Sequence, residues 1–171
     1  MIPVRHVLLV AGLIWLAAIG QGRAAHALSI RGAQPDFPLV VLACGSLTLG
    51  GARGALLGFW AGLLTAALLP MTYGSVFVSR IAAGAVAGGL GRSLIRDNLV
   101  VAPLVVVAST LLTEGLGALI APGSAVHDVR HWLRLLGGEM VYNAILAVPI
   151  SLLLRLFRVG QVTADPFGRL S

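Results

Sequence analysis

The chain has no lysine: all twelve of its basic residues are arginine. That removes the chemistries that need a lysine amine, such as a P-loop lysine, a Schiff base or a pyridoxal phosphate anchor. Charge of either sign is scarce. Only 11% of the 171 residues are charged and six are acidic, against about 25% charged residues in a soluble domain. So few cannot cover a globule of this size with polar surface, which argues against a soluble enzyme. The single cysteine, Cys44, allows no internal disulfide and is too little for a cysteine-rich metal site. It lies in an apolar run and reads as a small packing residue. A pI near 11.3 invites a nucleic-acid partner, but the arginines form no cluster. Most stand at the ends of apolar runs, so no nucleic-acid binding is expected.

What the chain does have is apolar length. Hydrophobic residues make up 58% and mean hydropathy is +0.97. A bilayer core of about 30 Å takes roughly 20 apolar residues per helix. Such runs cover about 4–20, 38–49, 55–69, 74–95, 99–121 and 132–157. They predict an all-α integral membrane protein, a six-transmembrane-helix bundle forming one domain over 1–159, with a polar tail over 160–171. Pro35 and Pro38 suit a helix start, Pro70 ends the third run, and Pro122-Gly123 stops the fifth. The second and third runs are short, and Gly50-Gly51-Ala52-Arg53-Gly54 divides them. One helix from 38 to 69 would place Arg53 mid-membrane at high cost. A tight turn that keeps Arg53 in water is expected, with a re-entrant pair as the alternative. The first run, with Arg5 before it and Ala25-His26-Ala27 after, resembles a secretory signal. Gln21-Gly22-Arg23 intervenes and five further runs follow, so a retained helix is expected.

The arginines set an orientation. With the N-terminus inside, the inner side carries Arg5, Arg53, Arg92, Arg96, Arg155, Arg158 and Arg169, and the outer side Arg23, Arg31, Arg130 and Arg134. Seven against four favours both termini in the cytoplasm.

Small residues recur at helical spacing. Gly54, Gly58, Gly62 and Ala66 make one face of the third run nearly smooth, and Gly84 and Gly88 do the same on the fourth. Such stripes let helices approach closely in lipid, where no hydrophobic drive exists between them. They suit packing of these two helices on each other or docking of a partner's helix. Gly88-Gly89-Leu90-Gly91 is not a nucleotide loop, since it lies inside an apolar helix with no strand before it.

Three ionisable residues fall deep inside runs: Arg80, Glu114 and Glu139. Charges there are expensive unless paired or hydrated, so each marks a candidate site. They lie six or seven residues from the outer ends of their runs, roughly 9–11 Å below the interface. Tyr142 and Asn143 follow Glu139 at helical spacing. The expectation is a buried polar cluster in the outer half of the bundle, with Arg80 between the two glutamates. It could be an ion pair fixing helix register, a small-molecule cavity or a partner contact. Paired carboxylates could serve acid–base catalysis, but nothing at that depth completes a catalytic set. His127 and His131 could hold zinc on a helix. Two histidines fall short of a site, and an interfacial segment with Trp132 is expected instead. No cofactor is expected.

Several stretches together carry a family pattern. Pro35-Asp36-Phe37 opens the short second run. The stretch from Gly50 through Arg53, Gly54, Gly58, Phe59-Trp60 and Gly62-Leu63-Leu64 leads to a short turn and Gly74. Glu139-Met140-Val141-Tyr142-Asn143 comes later, then Ala147-Val148-Pro149 and an arginine-bearing end. This resembles the rod shape-determining MreD family of bacterial inner-membrane proteins over nearly the whole chain. Members often carry an aspartate soon after the Gly-x-x-x-Gly-Leu-Leu stretch, where this chain has Thr65-Ala66. The resemblance implies a non-enzymatic component of the cell-wall elongation machinery. Its implied partners are the lipid bilayer, the periplasmic scaffold MreC, the actin-like MreB, and the peptidoglycan glycosyltransferase and transpeptidase. It also implies a fold similar to the substrate-capture subunits of energy-coupling-factor vitamin transporters, which are the alternative functional reading. Those often show an Ala-x-x-x-Ala stripe in the first helix, whereas here Trp15 follows Ala11.

Overall fold

The computed structural model describes residues 4–68, 73–93, 100–120 and 128–158. Apart from one isolated two-residue bridge, every regular element in them is helical. The helices are α1 (Val4–Gly20), α2 (Phe37–Leu49), α3 (Gly51–Leu68), α4 (Tyr73–Ser93), α5 (Val101–Ile120) and α6 (Val129–Arg158), and α1 continues as a π-helical turn over Gln21–Ala25. Five of these segments are long and apolar enough to cross a membrane. The chain is therefore an all-helical, multi-pass membrane protein. The expected tail over 160–171, His127 and Pro122-Gly123 lie outside the described residues, as do Arg96, Arg169 and the side chains of Arg92 and Arg158.

The odd helix is α2. It is apolar on every side, which is the pattern of a helix enclosed by protein rather than facing lipid on one flank. It touches all five others. Leu39, Val40, Leu42 and Ala43 are fully buried, and Val10 and Ile14 of α1, Leu57 of α3, Ala83 and Ala87 of α4, Val105 and Val106 of α5 and Ala147 of α6 close around it. Its thirteen residues span about 20 Å, short of a bilayer. Protein on all sides removes the need to match the lipid. Non-helical backbone can also enter at membrane depth there, provided its polar groups are satisfied.

The turn after α2 is tighter than the sequence suggests. Only Gly50 breaks the helices, at φ 89°, a left-handed conformation that glycine adopts without steric cost. α3 resumes at once, and the Gly54 N–H donates to the Gly50 carbonyl at 2.8 Å. Arg53 thus sits in the first turn of α3, half-buried.

α3 then packs along α4 through the two small-residue stripes. A Cβ on Gly54 would enter the Gly84 carbonyl, one on Gly58 the backbone of Arg80 and Ile81, and one on Gly88 the backbone of Gly50. Gly62 faces Phe77, whose ring meets Phe59 edge-on at 4.8 Å. Ala66 is buried. Of the two uses expected for the stripes, close packing on each other occupies these positions and leaves them unavailable to a partner's helix. α6 carries Pro149 in its interior.

Candidate functional site

The polar centre of the bundle is built around the entry of α2. Asp36 is its N-cap: the carboxylate Oδ1 accepts the Leu39 N–H at 2.9 Å, and Pro38 stands in the first turn. Both choices suit a helix start, since a capping carboxylate meets an otherwise unpaired N–H and proline has none to lose. The other carboxylate oxygen, Oδ2, is paired with Arg80 Nη2 in a buried salt bridge between α2 and α4.

The extended backbone before the helix is clamped by two side-chain amides. Gln21, at the head of the π-turn, donates through Nε2 to the Pro35 carbonyl at 2.8 Å and accepts the Phe37 N–H on Oε1 at 2.9 Å. Asn143 of α6 is fully buried. Its Oδ1 accepts the Asp36 N–H at 2.8 Å, and its Nδ2 donates to Thr110 Oγ1 at 3.1 Å and to Glu139 Oε1 at 3.4 Å. Thr110 can accept because its own hydroxyl donates to Val106 O within α5. Every polar atom of Asn143 is engaged, so its amide has one orientation. Glu114, one turn beyond Thr110 on α5, is half-buried and within Coulombic range of Asp36 and Arg80. Glu139 is within range of Asp36, Glu114 and Arg80.

The depth of the cluster follows from the helix ends. Arg80 lies seven residues into α4, about 10 Å. Asp36 meets it there, so α2 begins about 10 Å below the rim and its own 20 Å completes a bilayer core of about 30 Å.

Arg80, Glu114, Glu139 and Asn143 are thus brought together, but with a correction to their pairing. Arg80 does not sit directly between the two glutamates. Its ion partner is Asp36, supplied by the backbone that descends from the 26–34 segment. Tyr142 departs as well: its hydroxyl donates to the Leu28 carbonyl at 2.8 Å, at the rim. At 3.6 residues per turn, positions three and four after Glu139 point to opposite sides of it, about 100° apart. Only Asn143 turns inward. Asp36, which the sequence places only in the Pro35-Asp36-Phe37 stretch that opens the second run, and Gln21, which stands there only in the interruption after the first run, are site residues that the sequence does not single out.

Chemically the site holds one cation, three carboxylates and two amides. Nε and Nη1 of Arg80 are buried without a hydrogen-bond partner among the described residues. Such a group holds a helix start in place and keeps two guanidinium donors in reserve. No three histidine, cysteine or acidic side chains among the described residues are grouped to hold a metal ion. Comparison of the chain with protein-family models, with curated proteins and with solved structures finds no match.

Proposed function

We propose that this chain is a non-enzymatic, MreD-type component of the bacterial cell-wall elongation complex, acting in the inner membrane to maintain rod shape. In this reading it binds an MreC-type periplasmic scaffold and the peptidoglycan glycosyltransferase and transpeptidase, and works with the actin-like MreB. Its fold is of the kind found in energy-coupling-factor capture subunits. Both termini are cytoplasmic, as the arginine distribution favours.

One observation carries the reading. The three stretches on which the resemblance rests are far apart in sequence and meet at one place. Pro35-Asp36-Phe37 is tied to the Glu139–Asn143 stretch through Asn143, and the glycine run of α3 packs on the turn of α4 that bears Arg80. A motif set that converges on one structural core is what a shared fold would preserve. The missing aspartate near Thr65-Ala66 is consistent with a cluster that already contains Asp36, Glu114 and Glu139.

The test is depletion of the protein in its own rod-shaped bacterium, paired with detergent extraction of a tagged copy. The expected result is rounding of the cells and retention of an MreC-type scaffold on the tag. Unchanged shape, together with a tightly held vitamin and an associated ATPase pair, would favour the transporter reading instead.

A further inference from the structure

Away from the Asp36 cluster, the 26–34 segment and α6 enclose a groove of about 540 Å³. That is within the roughly 300–1,000 Å³ of ligand pockets. One wall is a tight turn, Ile30-Arg31-Gly32-Ala33. It is closed by reciprocal bonds between Ile30 and Ala33, both 3.1 Å. Its two central residues have positive φ, 54° at Arg31 and 88° at Gly32. An arginine in that region of backbone space is uncommon and costs conformational energy. The turn is braced against α6. A Cβ on Gly138 would stand 2.5 Å from that of Ala33, and one on Gly32 would meet Leu135 at 3.2 Å. The Tyr142 hydroxyl holds Leu28 beside it. Arg31 is therefore presented by a fixed frame.

The other wall is a single face of α6. Arg134, Gly137, Val141 and Ile145 line the groove at spacings of three and four, which align along a helix. Arg31, next to the Gly32–Leu135 contact, and Arg134 lie at the same end of the groove, and among the described residues no acidic side chain lines it. Neither arginine has an ion partner among the described residues. From Arg134 to Ile145 the helix rises about 16 Å, and one leaflet of a core of about 30 Å is about 15 Å deep. A cationic mouth thus leads into an apolar trough one leaflet deep. A partner's transmembrane helix would need a trough twice as long. A soluble anion would gain nothing from the apolar wall.

We propose that this groove holds an anionic phospholipid of the leaflet beside the 26–34 segment. Its phosphate lies between Arg31 and Arg134, and an acyl chain lies over Gly137 and along Val141 and Ile145. The inference stands apart from the rod-complex reading, because its test involves no other protein.

The test uses the full chain in nanodiscs of either phosphatidylglycerol or phosphatidylcholine, with retained lipids counted by native mass spectrometry after release into detergent. Phosphatidylglycerol should be retained in preference. Arg31→Gln and Arg134→Gln should each weaken retention about fivefold, and together about thirtyfold, as expected for charges near an anionic headgroup. Gly137→Leu should abolish it by filling the trough. Nothing stands within 4 Å of a Cβ at Gly137, so this variant should unfold at the parent's temperature or above. Equal retention of phosphatidylcholine, or full retention in the arginine double variant or in Gly137→Leu, would overturn the proposal. Disulfide capture of a partner's helix by Val141→Cys in native membranes, with no lipid retained, would overturn it in favour of a protein contact.

Discussion

Between α3 and α4 the helices meet through what is missing: the glycines of the two stripes leave no side chain, and backbone lies on backbone. At the entry of α2 the opposite holds. Gln21, Asp36, Arg80, Thr110 and Asn143 supply five polar side chains to hold a few residues of non-helical backbone at membrane depth. Both are solutions to the same solvent. Lipid gives helices no hydrophobic reason to associate and leaves no unpaired backbone group unpunished. The first contact gains dispersion by close approach. The second gains satisfaction of polar groups. They should therefore fail differently under substitution.

The largest loss is expected at the ion pair. Arg80→Gln strands the Asp36 carboxylate, and Asp36→Asn strands the guanidinium. Removing one partner of a buried pair costs about 3–5 kcal/mol. The double variant should lose clearly less than the sum of the two singles, because neither charge is left alone. Unfolding of the purified protein in detergent measures this cycle. A second cycle on Arg80 and Glu114, which share no hydrogen bond, should come much closer to additivity. Strong coupling there with none at Asp36 would reverse the pairing described above.

Next in size is Gly54→Ala. The new methyl enters the Gly84 carbonyl, and that neighbour is backbone that cannot rotate away. An overpacked contact costs about 1–3 kcal/mol. Unlike the ion-pair variants, this one has no rescuing partner substitution, since Gly84 has no side chain to shorten. A compensating change that restores stability would show that the helices do not lie so close.

A smaller effect is expected at Thr110→Val, which keeps the shape and removes the acceptor for Asn143 Nδ2. Glu139 Oε1 still accepts from the same nitrogen. The loss should be near the low end of the about 1–3 kcal/mol for an unsatisfied buried group. Asn143→Leu, which also strands the Asp36 N–H, should exceed it in the same unfolding assay.

The two regions also differ in how far they could be read from the sequence. The glycine stripes are local patterns, and a spacing of four on one helix is visible without knowing its neighbour. The intramembrane charges Arg80, Glu114 and Glu139 stood out for the same reason, since each interrupts an apolar run. Asp36 did not, because it follows the first outer segment and stands between Pro35 and Pro38, as any surface cap would. Its depth depends on the backbone descending into the bundle, and no residue of 26–36 announces that. The one available signal was the length of the second run, too short for a bilayer and bounded by an aspartate. Gln21 was hidden in the same way. A π-turn and a partner fourteen residues on convert a polar interruption into a clamp.

The smallest predicted effect has the opposite sign and bears on the first region. Gly115 lies inside α5, and nothing stands within 4 Å of an added Cβ. There the glycine has no close approach to permit, and only its conformational freedom matters. Gly115→Ala should raise stability by about 0.5–1 kcal/mol, the ordinary helix preference for alanine. Set against Gly54→Ala, the same chemical change is expected to act in opposite directions on two helices of one bundle. The difference isolates the facing backbone, because propensity favours alanine at both positions. If both variants were stabilised, the stripe would be a compositional feature rather than a contact. If both were destabilised, Gly115 would have a neighbour beyond the described residues.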